Sequence, residues 1–536
     1  MKLVPKKAFT NGKIFTCNDK QPWAESVIVS GDKILFVGSD SEANNYFDAE
    51  TEIINLDGDL MLPGFIDSHL HFMTGGFSFI TVDLSQVRSR DEFQSTILKF
   101  LSDKKQDWIT GGNWDNNKFH KNVFPSKEWV DSATGDIPLF VTRTDLHMGL
   151  ANSKALAMAG ITEETPNPEG GVIQKDKISG QPTGILIDNA MQKLFDILPE
   201  PSLEESFKAL EFAMKEANKF GITSVHDIVY PKDYTVYQDY TKENKLTCRI
   251  NLVRPISELE NFMKLKIHIP FGNEFIQMGA LKGLADGSLG SGTAWFFDPY
   301  NDDGSSTGLP MDILTNGKLK EWALKADRNR LQLVIHAIGD RAVSSVLDIY
   351  EEIINTNPKW DRRLRLEHAQ HIRKKDIERM SKMGVIASMQ PLHLYYDGIW
   401  CEAKIGKDRI NGTYAIKSIL DAGITACFGS DWTVTSLNPL MGIFAAVTRN
   451  VDGNKFPEGW NPSERISVKD AVRGYTINAA YASFNEKTKG SIEAGKLADM
   501  VILTENIFEI PIDKISGVSV KRTIFGGEIV YDNPGS

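Results

Sequence analysis

Two imidazoles two residues apart, His69 and His71, end the apolar run Pro63-Gly64-Phe65-Ile66-Asp67-Ser68-His69-Leu70-His71-Phe72. Alternate side chains of an extended strand share a face, so both rings project the same way and can hold one ion. Alone, the pair reads equally as two ordinary surface histidines, because imidazole is common without a metal. Four further residues change that reading: Lys282, His336, His368 and Asp431 each close an apolar run of their own. Taken singly, a strand-end histidine is a satisfied polar residue, and Asp431 in Gly429-Ser430-Asp431 is a helix cap. Far apart along the chain, the six meet only if their runs are strands of one closed sheet.

The intervening chain supports that arrangement. Apolar strands are expected at 61–66, 222–226, 248–253, 275–282, 331–336, 364–368, 385–389 and 425–431, and strand and helix signals alternate from about 221 to 483. One unit is plain: Ser202-Leu203-Glu204-Glu205 is a capping box, Phe207, Leu210, Met214 and Ala217 share a helical face, and Gly221 stands where the helix should stop. Eight such strands imply an α/β chain built on a (β/α)8 TIM-like barrel, which carries its chemistry at the C-terminal strand ends, where the polar residues cluster. A doubly wound sheet lacks the Gly-x-Gly-x-x-Gly turn it would need. Residues 73–201 are too long for a βα connection and form an insertion after the first barrel strand. At the two ends, Asn11-Gly12 signals a hairpin between 8–10 and 13–17, Gly31-Asp32 a turn between 26–30 and 33–37, and Gly526-Gly527 a turn between 521–525 and 528–531. A small composite β-sandwich domain from residues 1–60 and 489–536 is therefore expected beside a barrel at 61–488.

Composition narrows the function. A chain of 536 residues buries a large core, and a formal charge of -11 with no basic run gives no footprint for nucleic acid or an anionic membrane. The opening Met1-Lys2-Leu3-Val4-Pro5-Lys6-Lys7 offers no apolar targeting segment, and no stretch stays apolar long enough to span a bilayer, so a cytoplasmic protein is expected. Cys17, Cys248, Cys401 and Cys427 are scattered without CxxC spacing and read as buried thiols, not disulfides or zinc ligands.

Further motifs lie along the barrel region: Asp145-Leu146-His147, Asn152-Ser153-Lys154-Ala155-Leu156, Lys282-Gly283-Leu284-Ala285-Asp286-Gly287-Ser288, His336-Ala337-Ile338-Gly339-Asp340-Arg341-Ala342, Glu367-His368-Ala369-Gln370 and, near the end, Gly490-Ser491-Ile492-Glu493-Ala494-Gly495-Lys496-Leu497-Ala498-Asp499. With these the chain resembles the amidohydrolase superfamily, within it the branch of N-substituted formamide deformylase-like and uncharacterised metal-dependent hydrolases. The resemblance implies two divalent ions, zinc by default with manganese or iron as alternatives: one on His69, His71 and Asp431, the other on His336 and His368. Lys282 would bridge them, a role that requires the amine to react with CO2 and become an anionic carbamate, since an ammonium cannot coordinate a cation. Otherwise Lys282 pairs with Asp286. In the implied reaction the ions generate hydroxide from a shared water, and Asp431 takes its proton and passes it to the departing nitrogen.

Around the mouth, His147 looks like a substrate-side catalytic group that donates to the oxyanion, or else ties the insertion together. Trp114, Arg143, Gln390, His393 and Trp432 are candidate pocket walls by position. His120, His268 and His371 are expected in solvent, His226 behind the ligands, and Glu367 outside the lumen, because strand alternation turns it away from His368. The expected function is hydrolysis of a C–N bond in an N-substituted amide or N-acyl small molecule, by a homodimer, the commonest assembly. A mononuclear deaminase would need a glutamate three residues after His336, where Gly339 stands. Lactone or ester hydrolysis would use the same hydroxide. A catalytically inactive scaffold would be expected to have lost ligands, and this chain keeps every type.

Overall fold

The computed structural model describes residues 6–103, 107–120, 123–229 and 233–533; the opening stretch 1–5 lies outside them. Parallel strands joined by crossover helices are covered on both faces. Eight of them, β1 (Phe65–Leu70), β2 (Ile222–Ile228), β3 (Arg249–Pro255), β4 (Ile276–Leu284), β5 (Leu333–Ala337), β6 (Arg365–His368), β7 (Ile386–Met389) and β8 (Ala426–Phe428), form one parallel sheet in which each strand pairs with the next. The seam between β8 and β1 is bridged by main chain: Asp431 N donates to His69 O at 2.7 Å and His71 N to Trp432 O at 2.9 Å. The expected (β/α)8 barrel is present, and its C-terminal mouth gathers the polar strand ends.

Local signals set the units. The helix Leu203–Lys219 opens on the Ser202/Glu205 capping box, buries Leu210, Met214 and Ala217, and hands over to β2 at Gly221, whose φ of 76° suits glycine. Two expected strands shift. Leu60–Pro63 belongs to the terminal sheet, pairing antiparallel with Met500–Leu503, and β1 begins only after Gly64, where a Cβ would meet Thr223 Oγ1 at 2.3 Å. The eighth strand is three residues long, and Asp431 stands beyond it on left-handed backbone at φ 54°.

The chain ends make two sheets. Lys6–Thr10 lies with Ser26–Ser30, Lys33–Gly38 and Glu52–Asn55 in one; Lys13–Phe15 lies with Leu60–Pro63 and the C-terminal strands in the other. Asn11-Gly12 is thus not a hairpin turn, as expected from its type, but the crossing between sheets. The turn chemistry serves either use, and glycine leaves room there for Leu56, whose Cδ1 a Cβ on Gly12 would meet at 2.4 Å. Phe9, Val27, Met61, Met500, Ile502 and Ile524 form the shared core, so both termini complete one β-sandwich. The Gly526-Gly527 hairpin forms as expected.

The insertion folds around a fourth sheet, of six strands, with Gly111–Trp114, Phe140–Arg143, Met148–Ala151 and Pro182–Asp188 at its centre. Trp114 is 0% exposed in this sheet's core, its Nε1 donating to Val141 O at 3.0 Å, so it is packing and not a pocket wall. None of the described helices is long and apolar enough to cross a membrane. All four cysteines are buried free thiols.

Candidate metal centre

Three donors expected to share an ion do converge. Asp431 Oδ1 lies 3.6 Å from Nε2 of His69 and 3.6 Å from Nε2 of His71. Donor atoms about 2.0–2.2 Å from a tetrahedral ion stand about 3.4 Å apart, so the spacing suits a divalent cation. Asp431 also closes a second group with His368 and His393, its Oδ2 4.0 Å from His393 Nε2, and within each group all donors lie within 4.8 Å of one another. Lys282 Nζ stands 3.2 Å from His69 Nε2. His336 comes close by its ring, 4.4 Å from that of His368 between centroids, but its Nε2 faces Gly287 O at 3.1 Å and Asp286 Oδ1 at 3.5 Å.

Several histidines are held by one edge and open at the other. His69 Nδ1 is bonded by Glu367, whose carboxylate in turn accepts from Arg365 Nε at 2.9 Å. Arg365 Nη2 also donates to Ser68 O at 2.7 Å, and Nη1 meets His226 Nδ1 at 3.0 Å. Glu367 therefore points into the lumen, against the expectation from alternation. The reason is that His368 (φ 69°) and Ala369 (φ 45°) leave the extended conformation, so neighbouring side chains turn to the same side. Arg365 and Glu367, two apart, do alternate normally and share the lumen face; that spacing was the signal available in the sequence. Gln390 is the corresponding tether for His368, its Oε1 accepting from Nδ1 at 2.9 Å, which makes it a positioning group and not a bare wall.

Asp286 is committed elsewhere than to Lys282: it accepts main-chain N–H bonds from Trp295 (2.8 Å), Ile338 (3.0 Å) and Gly339 (2.8 Å) and so fixes the loop after β5. His371 is buried, not solvated, with Nδ1 2.9 Å from Thr413 Oγ1; His120 and His268 are exposed as expected.

Burial dominates the electrostatics. It lowers His71 to about 3 and His393 to about 4, and holds His69, His336 and His368 well below the ordinary range, so the cluster is neutral and its nitrogens are free to donate electron pairs. Burial also lowers Lys282, against the pull of Asp431 and Glu367, and raises Asp431 to about 6. His147 behaves differently. Burial opposes its charged form, yet the hydrogen bond from Nδ1 to Asp188 Oδ1 at 2.6 Å and the carboxylates of Asp188, Asp145 and Asp286 outweigh it and raise its pKa.

His147 lies at the mouth, its ring 5.3 Å from that of His336. Arg143 is buried, with Nε on Asn116 Oδ1 (2.8 Å), Nη2 on Asp115 Oδ1 (2.8 Å) and Nη1 on Asp145 Oδ2 (2.7 Å), and it braces the insertion. Asp145 also accepts from Ser288 and Ser291 at 2.6 Å each, locking the insertion to the loop after β4. Trp432 packs over Gly75 and beside Phe72 and Phe79, roofing the His71 side. Neutral nitrogens, a carboxylate with both oxygens engaged by the cluster, and rings tethered at their far edge are what a bound divalent cation requires.

Known proteins share this architecture. The chain is 37% identical to the protein LONG AFTER FAR-RED 3 of Arabidopsis thaliana over 99% of its own length and 92% of that protein's. It is 27% identical to the N-substituted formamide deformylase of Arthrobacter pascens, over 98% of each. An uncharacterized metal-dependent hydrolase from Pyrococcus horikoshii superposes with a TM-score of 0.78 at 25% identity, covering 95% of this chain and 99% of that one. Residues 52–531 match the amidohydrolase family, and the chain belongs to that family.

Proposed function

We propose that this amidohydrolase cleaves the C–N bond of an N-substituted amide or N-acyl compound, a small molecule of the cytoplasm. The observation that carries the reading is the meeting of His69, His71 and Asp431 at the barrel mouth, with Lys282 beside them. The likeness to an N-substituted formamide deformylase supports the choice of bond. A divalent cation held there, zinc foremost, supplies Lewis acidity towards a water and a carbonyl. Lys282, whose pKa burial lowers, has the amine chemistry to take up CO2 as a carbamate and add an anionic ligand.

The chain's own groups do the rest. Asp431 takes a proton from the attacking water as its oxygen bonds to the carbonyl carbon, and returns it to the nitrogen as the C–N bond breaks, leaving a carboxylic acid and an amine. His147, anchored through Nδ1 to Asp188, presents its other nitrogen to the developing oxyanion. Glu367 and Gln390 keep His69 and His368 in register. Zinc-loaded protein assayed for amine release against N-substituted formamides, N-acyl amines, lactones and aminopurines tests the reading. Release from the amides supports it; turnover confined to lactones or aminopurines rejects it.

A further inference from the structure

We infer that Arg365 is a positioning residue of this centre: anchored across the barrel lumen, its guanidinium aims the carboxylate of Glu367 at His69 and so sets how tightly that ring holds a cation. The inference rests on the metal-dependent reading above. The ion concerned is a divalent transition metal that takes imidazole and carboxylate donors, zinc foremost.

The guanidinium and the carboxylate are paired two on two. Nε donates to Glu367 Oε1 at 2.9 Å and Nη2 to Oε2 at 3.0 Å, and both side chains are buried. A fork of this kind fixes the plane of the acid as well as its distance. Oε2 is also the oxygen that bonds Nδ1 of His69. A carboxylate only accepts, so Nδ1 is the donor there, and the Nε2 of the same ring, which faces Asp431 Oδ1, keeps its lone pair. A carboxylate behind a histidine is what orients such a ring towards a metal.

Closing the fold does not call for this fork. Arg365 and Glu367 stand two apart on β6 and are already held by their strand, so their pairing joins no distant segments, and a buried ion pair is weak evidence of stability. Arg249 and Asp499 make the same two-on-two contact 250 residues apart, and there the pair ties the barrel to the β-sandwich. What the Arg365 fork adds is direction. Its other contacts come from three strands: Nη2 donates to Ser68 O of β1 at 2.7 Å and to Ser388 Oγ of β7 at 3.1 Å, and Nη1 to His226 Nδ1 of β2 at 3.0 Å. Burial and the charge of Arg365 hold His226 well below the ordinary range, so this ring is neutral and accepts. The guanidinium is thereby fixed in place, and from it Glu367 reaches across the lumen from β6 to β1.

The test is Zn2+ affinity, measured on the full-length chain by competition with a chromophoric chelator, with Co2+ absorption reporting the ligand field and elemental mass spectrometry the number of ions held. Arg365→Lys keeps the charge and loses the fork; it should weaken Zn2+ binding by about 10–100-fold, shift the Co2+ bands and leave the number of ions at saturation unchanged. Arg249→Lys makes the same exchange at the other fork and should leave Zn2+ affinity at its wild-type value, which separates aim from a general loss of packing. Ser388→Ala removes one anchor and no charge, and should weaken Zn2+ binding less than Arg365→Lys does; it decides the matter should the lysine variant fail to fold. Wild-type Zn2+ affinity in folded Arg365→Lys, or in Ser388→Ala where that variant alone folds, overturns the inference and leaves the hydrolase reading in place. Equal weakening by Arg365→Lys and Arg249→Lys does the same. A wild type that binds no Zn2+ overturns both.

Discussion

The two ends of the barrel both bury charge, and they differ in what the buried groups face. At the base, Arg249 at the start of β3 is closed on every side: Nε and Nη2 hold the two oxygens of Asp499 at 2.6 and 2.9 Å, Nη1 donates to Glu274 O at 3.1 Å, and the guanidinium lies 4.6 Å over the ring of Phe525. Lys489 beside it is bonded to Ser224 Oγ. At the mouth, His368 is tethered by one nitrogen only, and His69, held at Nδ1 by Glu367, meets Lys282 at Nε2, so that this lysine faces a neutral histidine where an acid would be expected. A buried charge whose partners are all present joins two parts of a fold, here the barrel to the β-sandwich that Asp499 enters. Groups satisfied on one edge alone form a site.

If that contrast is right, the largest effect belongs to the mouth and falls on turnover alone. Asp431→Asn keeps the shape and tolerates the left-handed backbone at φ 54°, since asparagine adopts it readily. Amide turnover should fall by about 10³-fold, with little change in the thermal midpoint. Activity near that of wild type would remove Asp431 from the chemistry.

The base should show the reverse. Arg249→Ala leaves Asp499 buried and unpaired, which costs on the order of 3–5 kcal/mol of stability, while turnover per folded molecule is retained. Denaturant unfolding followed in parallel with the amide assay separates the two. A variant as stable as wild type but inactive would erase the distinction between the ends.

The buried Lys489 sharpens the comparison. Burial, helped by the charge of Arg249, lowers Lys489 from 10.5 to about 8. A depressed lysine contributes stability that is present above 10.5 and lost as pH falls through 8, because the folded state resists the proton that the unfolded chain accepts. Wild type should therefore gain about 3 kcal/mol relative to Lys489→Met between pH 7 and the alkaline end of that window. A stability difference that stays flat with pH would mean that Lys489 is charged in the folded protein.

Much of this was legible in the sequence, and for identifiable reasons. The capping box at Ser202, the helical face ending at Ala217 and the glycine at 221 are local signals, and they repeat often enough to show the barrel. His69, His71 and Asp431 were legible as a group because barrel topology converts strand ends into neighbours. Glu367 was misplaced because its direction depends on the sign of φ at His368, which side-chain periodicity does not encode. Asn11-Gly12 was misread because turn chemistry does not say which sheet receives the next strand. The fold of the insertion was not readable because its strands are short and its mixed parallel and antiparallel pairing is set by distant contacts. Trp114 and Arg143 were assigned to the pocket by position, and only burial reveals that they face inward.

Gln390 offers the smallest and most discriminating effect. It is buried, and its Oε1 accepts from His368 Nδ1, so it acts by fixing which nitrogen of that ring is bare and where it points. Removing such a tether leaves every donor in place and costs about 10–100-fold in metal affinity. Gln390→Ala should therefore weaken Zn2+ binding by about that factor without changing the number of ions held at saturation, and Gln390→Glu, which keeps an acceptor oxygen, should restore most of it. Ser224→Ala removes the tether of Lys489 at the opposite end and should leave Zn2+ affinity untouched. Equal effects of the two alanine variants would mean that the polar groups at both ends are merely structural, since only a tether that orients a donor can move affinity and spare stoichiometry.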